Sequence, residues 1–195
     1  MIVAVVLSAG ESSRMGTPKA LLPVDGQTFI ERIVTALKKT TVSAIVVVLG
    51  HHLEEIRQKV AQLSVTMVVN QNYRSGQLSS LQAAIRSLEG KNVDAILVHL
   101  VDHPFLDSRL VDEMIKRFYE SKKMIVVPLY KGRRGHPVLF SSKLFPELLA
   151  APLEVGAKEV VHAHRGDTLE IQASDEGVTI DIDTPEEYRQ HVRKD

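Results

Sequence analysis

Residues able to do chemistry stand at three separated places in this chain. They are a small, polar and basic stretch over 7–19, a carboxylate at Asp102, and an acidic pair at Asp181 and Asp183. The first reads Leu7-Ser8-Ala9-Gly10-Glu11-Ser12-Ser13-Arg14-Met15-Gly16-Thr17-Pro18-Lys19 and directly follows the apolar run Ile2-Val3-Ala4-Val5-Val6. A chain that gives up core material in this way is either holding a ligand or making a solvated turn. Gly10 and Gly16 permit close backbone approach, while Ser12 and Ser13 add hydroxyl donors. Successive amides can form an anion-holding nest, and Arg14 and Lys19 supply the positive charge that a polyphosphate requires. Neither the P-loop pattern nor G-x-G-x-x-G is present, which removes the main support for a dinucleotide.

Asp102 follows the apolar run Ala95–Val101 and precedes His103-Pro104. A carboxylate at a strand end suits magnesium, a hard cation usually held by one or two carboxylates plus phosphates. The competing role is capping of the turn before Pro104. Asp183, just before Thr184, is the second metal-ligand candidate. Asp181 would point the same way on a strand over Val178–Ile182, so the choice between the two stays open. His51-His52 opens a helix beside Glu54 and Glu55, and His162 and His164 are two apart, which is not a helical metal pair.

Hydrophobic patterning indicates the elements that must position these groups. Ile2–Leu7, Ala44–Leu49, Val65–Val69, Ala95–Val101 and Met124–Leu129 are short apolar runs without alternation, as in strands buried on both faces. Helix-length amphipathic segments over 28–39, Leu53–Leu63, Ser80–Leu88 and Asp107–Glu120 lie between them, the first opening with Thr28 and Glu31 at capping-box spacing. This rhythm predicts a three-layer α/β fold with a mostly parallel sheet, whose ligands bind at the carboxyl ends of the strands. After residue 130 the rhythm changes. Lys131-Gly132-Arg133-Arg134-Gly135 reads as a turn and Pro137–Phe140 as an antiparallel strand. A helix over Gly156–Arg165 and short strands over Thr168–Ile171 and Val178–Ile182 follow. Thr184-Pro185-Glu186-Glu187 then starts a last helix through Val192.

The 195 residues are expected to form one domain, and 44% hydrophobic content is ample for a packed core. Lys+Arg and Asp+Glu balance at 24 each, so no general attraction to nucleic acid or anionic membrane is expected and any anion site must be local. Without cysteine there are no disulfides, thiolate zinc sites or cysteine nucleophiles. The N-terminal apolar stretch is too short for a signal peptide or a membrane span, so the expectation is a cytoplasmic protein.

Leu7-Ser8-Ala9-Gly10 with Ser12, Arg14, Met15, Gly16, Pro18 and Lys19 resembles the signature loop of the MobA-like nucleotidyltransferases. Four further blocks extend the resemblance along the chain: Asn70 to Gly76 through Ser80-Leu81, Val101-Asp102-His103-Pro104, Gly135-His136-Pro137-Val138-Leu139-Phe140, and Asp181 to Glu187. Within the family, the chain most resembles the molybdenum cofactor cytidylyltransferases, the MocA type. The resemblance implies a single Rossmann-like nucleotidyltransferase domain, with the nucleotide in its N-terminal half and the acceptor in its C-terminal half. It also implies magnesium, CTP as substrate and a molybdopterin-type acceptor, with a molybdenum hydroxylase apoenzyme as a candidate recipient. The implied catalytic residues are Arg14, Lys19 and Asp102, and the implied metal ligands Asp102 and Asp183. Leu7, Ser8, Ala9, Gly10, Ser12, Ser13, Arg14, Met15, Gly16, Lys19, Asn70, Gly76, Ser79 and Ser80 would bind the nucleotide, and His136 the acceptor. Ser79 and Ser80 have helix capping as their alternative. Ala9 favours cytidine because its methyl group takes space that a purine needs, whereas Leu153, Glu154 and Lys158 depart from the family's acceptor block. Two other readings stand beside this one: a different NTP and phosphorylated acceptor, such as a sugar phosphate, or a non-catalytic nucleotide-binding or cofactor-delivery protein.

Overall fold

A computed structural model describes residues 1–192. Its strands are β1 (Ile2–Ser8), β2 (Pro23–Val24), β3 (Gln27–Thr28), β4 (Ala44–Leu49), β5 (Thr66–Val69), β6 (Ala95–Leu100), β7 (Ile125–Tyr130), β8 (Arg133–Arg134), β9 (Val138–Ser141) and β10 (Thr168–Gln172). Its helices are α1 (Phe29–Leu37), α2 (Leu53–Val60), α3 (Gln77–Ser87), α4 (Ser108–Ser121), α5 (Phe145–Ala150), α6 (Lys158–Ala163) and α7 (Pro185–His191). The main sheet runs β10-β7-β9-β6-β1-β4-β5, with β8 hairpinned onto β7. β6, β1, β4 and β5 are parallel, β9 is antiparallel to both neighbours, and β10 is parallel to β7. This is the expected three-layer, mostly parallel α/β fold with an antiparallel element in its C-terminal half.

Every residue of β1 is buried, and its alternation splits the core. Ile2, Ala4 and Val6 join the cluster under α1, α2 and α4, while Val3, Val5 and Leu7 join the one under α3, α5 and α6. Connections from β1 run outward through β4 to β5 and then return to β6 on the other side. The carboxyl ends of β1 and β6 therefore flank the point where strand order reverses, which is where open α/β sheets bind ligands. Both capping boxes form as the spacing predicts, Thr28 with Glu31 and Thr184 with Glu187, with Pro185 in the first turn of α7.

Three sequence expectations need correction. The segment Val178–Ile182 is not a strand: Glu176–Thr179 is a 3-10 turn and the rest is extended without a sheet partner. Two of its alternating apolar residues are buried, Val178 in the main core and Ile182 in a third cluster with Leu22, Val24 and Phe29, while Ile180 between them is partly buried. Its main chain bonds loops instead: His136 N donates to Val178 O (2.8 Å) and Ile182 N to Asp102 O (2.9 Å). The helix read over Gly156–Arg165 shrinks to α6, with Gly156 at φ 73° before it. Finally, α3 starts at Gln77, so Ser79 and Ser80 lie inside the helix and neither caps it.

The core includes one fully buried imidazole within a strand, His99 of β6, which is 1% exposed. Burial pulls its pKa down from the usual range to about 3.

Two outcomes follow from this packing. A Cβ at Gly135 would collide with the Val178 carbonyl oxygen, so Gly135→Ala should cost about 1–3 kcal/mol in urea unfolding. An unchanged midpoint would refute that docking. At low pH, the unfolded chain protonates His99 near its ordinary pKa while the native chain does not. Stability should therefore fall as pH drops from about 6.5 toward 3, by roughly 2 kcal/mol at pH 5 for this ring. His99→Leu should remove that share, and identical acid sensitivity in the two proteins would contradict it.

Candidate active site

The loop after β1 is folded by its own serine. Ser12 takes a left-handed conformation (φ 52°), its carbonyl accepts from Met15 N and Gly16 N, and its hydroxyl accepts from Lys19 N at 3.1 Å. Gly16, at φ 70°, closes the turn at a position that L side chains rarely adopt. Lys19 then begins a short 3-10 turn pinned by buried Ala20, which aims its ammonium across the sheet edge.

Three segments meet at that ammonium. Lys19 Nζ lies 3.4 Å from Asp102 Oδ2 and donates to Asp183 Oδ1 in a short hydrogen bond. Arg14, on the exposed side, donates to Asp183 Oδ2. Asp183 arrives here because Ile182 is fully buried beside Phe29 and donates its amide to the Asp102 carbonyl. Glu187 then accepts from Asp183 N (2.8 Å), fixing its main chain at the entry to α7. Asp181 is exposed and takes no part in this cluster, which Asp183 joins.

Burial raises the Asp102 pKa, and the Lys19 charge only partly opposes it. For Asp183, partial burial also pushes upward, but the bonds and charges of Lys19 and then Arg14 win and hold the carboxyl below its usual range. His103 Nε2 is 3.9 Å from Asp102 Oδ1, yet burial keeps the ring uncharged with a pKa of about 2, so the contact is not an ion pair. Asp102 Oδ1 is buried with no hydrogen-bond partner among the described residues. Two carboxylates, one with an unsatisfied oxygen, already converge on a cation, and this all-oxygen set fits a hard divalent ion completed by phosphate oxygens. Among the described residues, no group of three or more His, Asp or Glu converges as a protein-only metal site.

Beside the carboxylates lies a cavity of about 230 Å³, walled by Leu7, Ser8, Ala9, Gly10, Ser12, Lys19, Gly76, Ser80 and Asp102, together with Tyr73 and Gln77. Leu7, Gln77 and Leu100 are shared with a larger cavity of about 530 Å³ whose wall includes His136. Burial lowers the pKa of His136 to about 4, so the imidazole is neutral near pH 7. Other anticipated residues sit elsewhere. Ser13, Met15 and Gly16 shape the loop without walling either cavity. Asn70 is buried and donates to Ser79 and Ser80 (2.8 and 3.0 Å), bracing the start of α3. His51 Nδ1 lies 3.1 Å from the Tyr73 hydroxyl, and His164 bonds Glu147, in keeping with structural roles. His162, however, is on the wall of the larger cavity. Sequence reasoning also missed His99, although an imidazole interrupting the run Ala-Ile-Leu-Val was a visible signal.

A family model described as the MobA-like NTP transferase domain matches residues 4–168. Curated relatives include the molybdenum cofactor cytidylyltransferase of Escherichia coli K12, 25% identical over 94% of this chain and 92% of its own length. The purine catabolism protein PucB of Bacillus subtilis is 30% identical over 96% and 94%, and the nicotine blue oxidoreductase of Paenarthrobacter nicotinovorans 30% over 96% and 95%. Among solved structures, Rv0371c of Mycobacterium tuberculosis superposes with a TM-score of 0.87 at 27% identity, covering 99% of this chain and 97% of that one. Its manganese complex superposes at 0.83 with 25% identity, covering 100% and 99%. No helix among the described residues is long and apolar enough to cross a membrane. The chain belongs to the MobA-like NTP transferase family, and its chemistry is that of a nucleotidyltransferase.

Proposed function

We propose that this nucleotidyltransferase moves CMP from CTP to the terminal phosphate of a molybdopterin-type acceptor and releases pyrophosphate. The observation that carries the reading is the meeting of Asp102 and Asp183 at Lys19, beside two cavities that share a wall. An acceptor phosphate oxygen attacks the α-phosphorus as the bond from that phosphorus to the β-phosphate bridging oxygen breaks, and the pair of electrons leaves with pyrophosphate. Both reactants are anions, so positioning and charge neutralisation supply most of the rate.

In this reading, the amides of 9–16 cradle the triphosphate in the smaller cavity. Lys19 exchanges part of its carboxylate contacts for phosphate oxygens, and Arg14 offsets charge on the leaving group. Asp102 and Asp183 would hold magnesium, which would supply positive charge to neutralise the phosphates. The Ala9 methyl and the buried Ser8 hydroxyl, which has no partner among the described residues, face the nucleoside end and favour a pyrimidine. The larger cavity takes the acceptor on Leu78, Leu81, Val98 and Phe140, with the neutral His136 ring and the charged Lys158 at its wall. A molybdenum hydroxylase apoenzyme is the proposed recipient of the product, and the cytoplasm its setting. A second reading keeps the transfer and changes the acceptor: the Glu154 carboxylate on the same wall can accept hydrogen bonds from hydroxyl groups, which suits a hydroxyl-rich sugar phosphate.

Pyrophosphate release measured with each NTP, with and without molybdopterin, should be greatest for CTP plus molybdopterin and magnesium. GTP preference would overturn the base assignment, and molybdopterin-independent turnover with a sugar phosphate would favour the second reading. Magnesium plus CTP should also raise the melting temperature more than magnesium plus GTP. Asp102→Asn should abolish transfer with an unchanged circular dichroism spectrum, and Lys19→Met should lower kcat about 10²–10³-fold. Wild-type turnover in either variant removes that residue from the mechanism.

A further inference from the structure

His99 is a buried polar side chain that the proposed transfer does not use. It occupies β6 among Leu97, Val98 and Leu100, pairs across the sheet with Val6, and is 1% exposed. A leucine would fill such a position without polar cost. The imidazole carries one: its Nδ1 is buried with no partner among the described residues, which counts against folding. Its other nitrogen, Nε2, lies 2.8 Å from the main-chain carbonyl oxygen of His103. A carbonyl only accepts, so Nε2 carries the proton and the tautomer is fixed. Since burial keeps the ring neutral, that donor is unaltered across the physiological range.

The bonded carbonyl belongs to the residue after Asp102. The turn that presents Asp102 is tied at four points. Val101 N donates to Leu7 O (3.1 Å), His103 N to Leu100 O (3.2 Å) and Ile182 N to Asp102 O (2.9 Å). The fourth tie is the His99 side chain, reaching forward from inside the strand. It anchors the carbonyl of the His103–Pro104 peptide, one residue beyond Asp102, and so restricts the conformations open to the turn that carries the carboxylate. The ring of His103 in turn lies against that of His136, centroids 4.8 Å apart and planes tilted by 55°, and His136 walls the larger cavity.

We infer that His99 is a positioning residue, whose Nε2–H holds the Asp102 turn so that its carboxylate meets Asp183 on a shared divalent ion. This rests on the metal role proposed for the two aspartates. Partners that orient a metal ligand commonly change metal affinity or activity 10–100-fold when lost.

The test is Mn²⁺ binding to the ligand-free protein, followed by the electron paramagnetic resonance signal of free Mn²⁺. Wild type, His99→Leu, His99→Gln and Asp102→Asn are compared, with melting temperatures at pH 7.5. Leucine removes the donor and fills the space, whereas glutamine keeps an N–H at similar reach. Mn²⁺ affinity is expected to fall at least tenfold in His99→Leu while its melting temperature stays level or rises. His99→Gln should recover most of the affinity. Wild-type affinity in His99→Leu overturns the inference. So does a loss in both variants accompanied by lowered melting temperatures, which would make the ring mere packing. If wild type and Asp102→Asn bind Mn²⁺ equally, the metal role of Asp102 itself fails, and the inference fails with it.

Discussion

Two carboxylates brought together at the low-polarity edge of a sheet repel each other unless a cation lies between them, and this constraint organises the site. Here the cation is the Lys19 ammonium, with Arg14 closing the outer side. Neither aspartate would be tolerable in this arrangement alone with the other. Their environments also differ, because burial pushes Asp102 upward while the lysine and arginine hold Asp183 down. In the proposed reaction, a divalent ion would take the place of the ammonium between the carboxylates, and the phosphates would receive the displaced Lys19.

The rest of the fold supplies rigidity around that exchange. β1 and β6 are buried side by side in parallel register, so the loops leaving their ends start from fixed points. The Ser12 turn converts one of those starts into a defined direction for Lys19, and the main-chain ties of residues 101–103 do the same for Asp102. Flexible side chains thus act from a stiff base, which is what transfer between two anions demands.

Much of this was legible in the sequence, for reasons that can be named. Strands buried on both faces leave uninterrupted Val/Ile/Leu runs, so β1, β4, β6 and β7 were readable; Val65–Val69 gave β5 by the same pattern, but β5 is the sheet's edge strand and is mostly exposed. Capping chemistry is local, so the starts of α1 and α7 were too. The stretch 178–182 misled because alternate burial produces period-two patterning whether or not a ladder forms. Its true partners, the Gly135-His136 amide and the Asp102 carbonyl, are far away in the chain. Asn70, Ser79 and Ser80 do come together, with Ser80 on the wall of the smaller cavity, but their bonds to one another at the start of α3 were not legible, since a hydrogen-bonded knot and a row of ligand contacts have the same residue types. His99 stood out as a polar residue in an apolar run, but its partner is a main-chain carbonyl, which no residue type announces.

The bond from Ile182 to the Asp102 carbonyl separates building the scaffold from arming it. β10, the last sheet strand, ends at Gln172, so the whole sheet precedes Asp183 in the chain. During N-to-C synthesis, the layers can assemble while Lys19 still faces a single acidic partner. Only when the closing strap lies down does the second arrive, so a polypeptide interrupted after Gln172 would retain every strand yet lack half of its acidic pair. In the proposed function, the second carboxylate would therefore be the last part of the site to arrive.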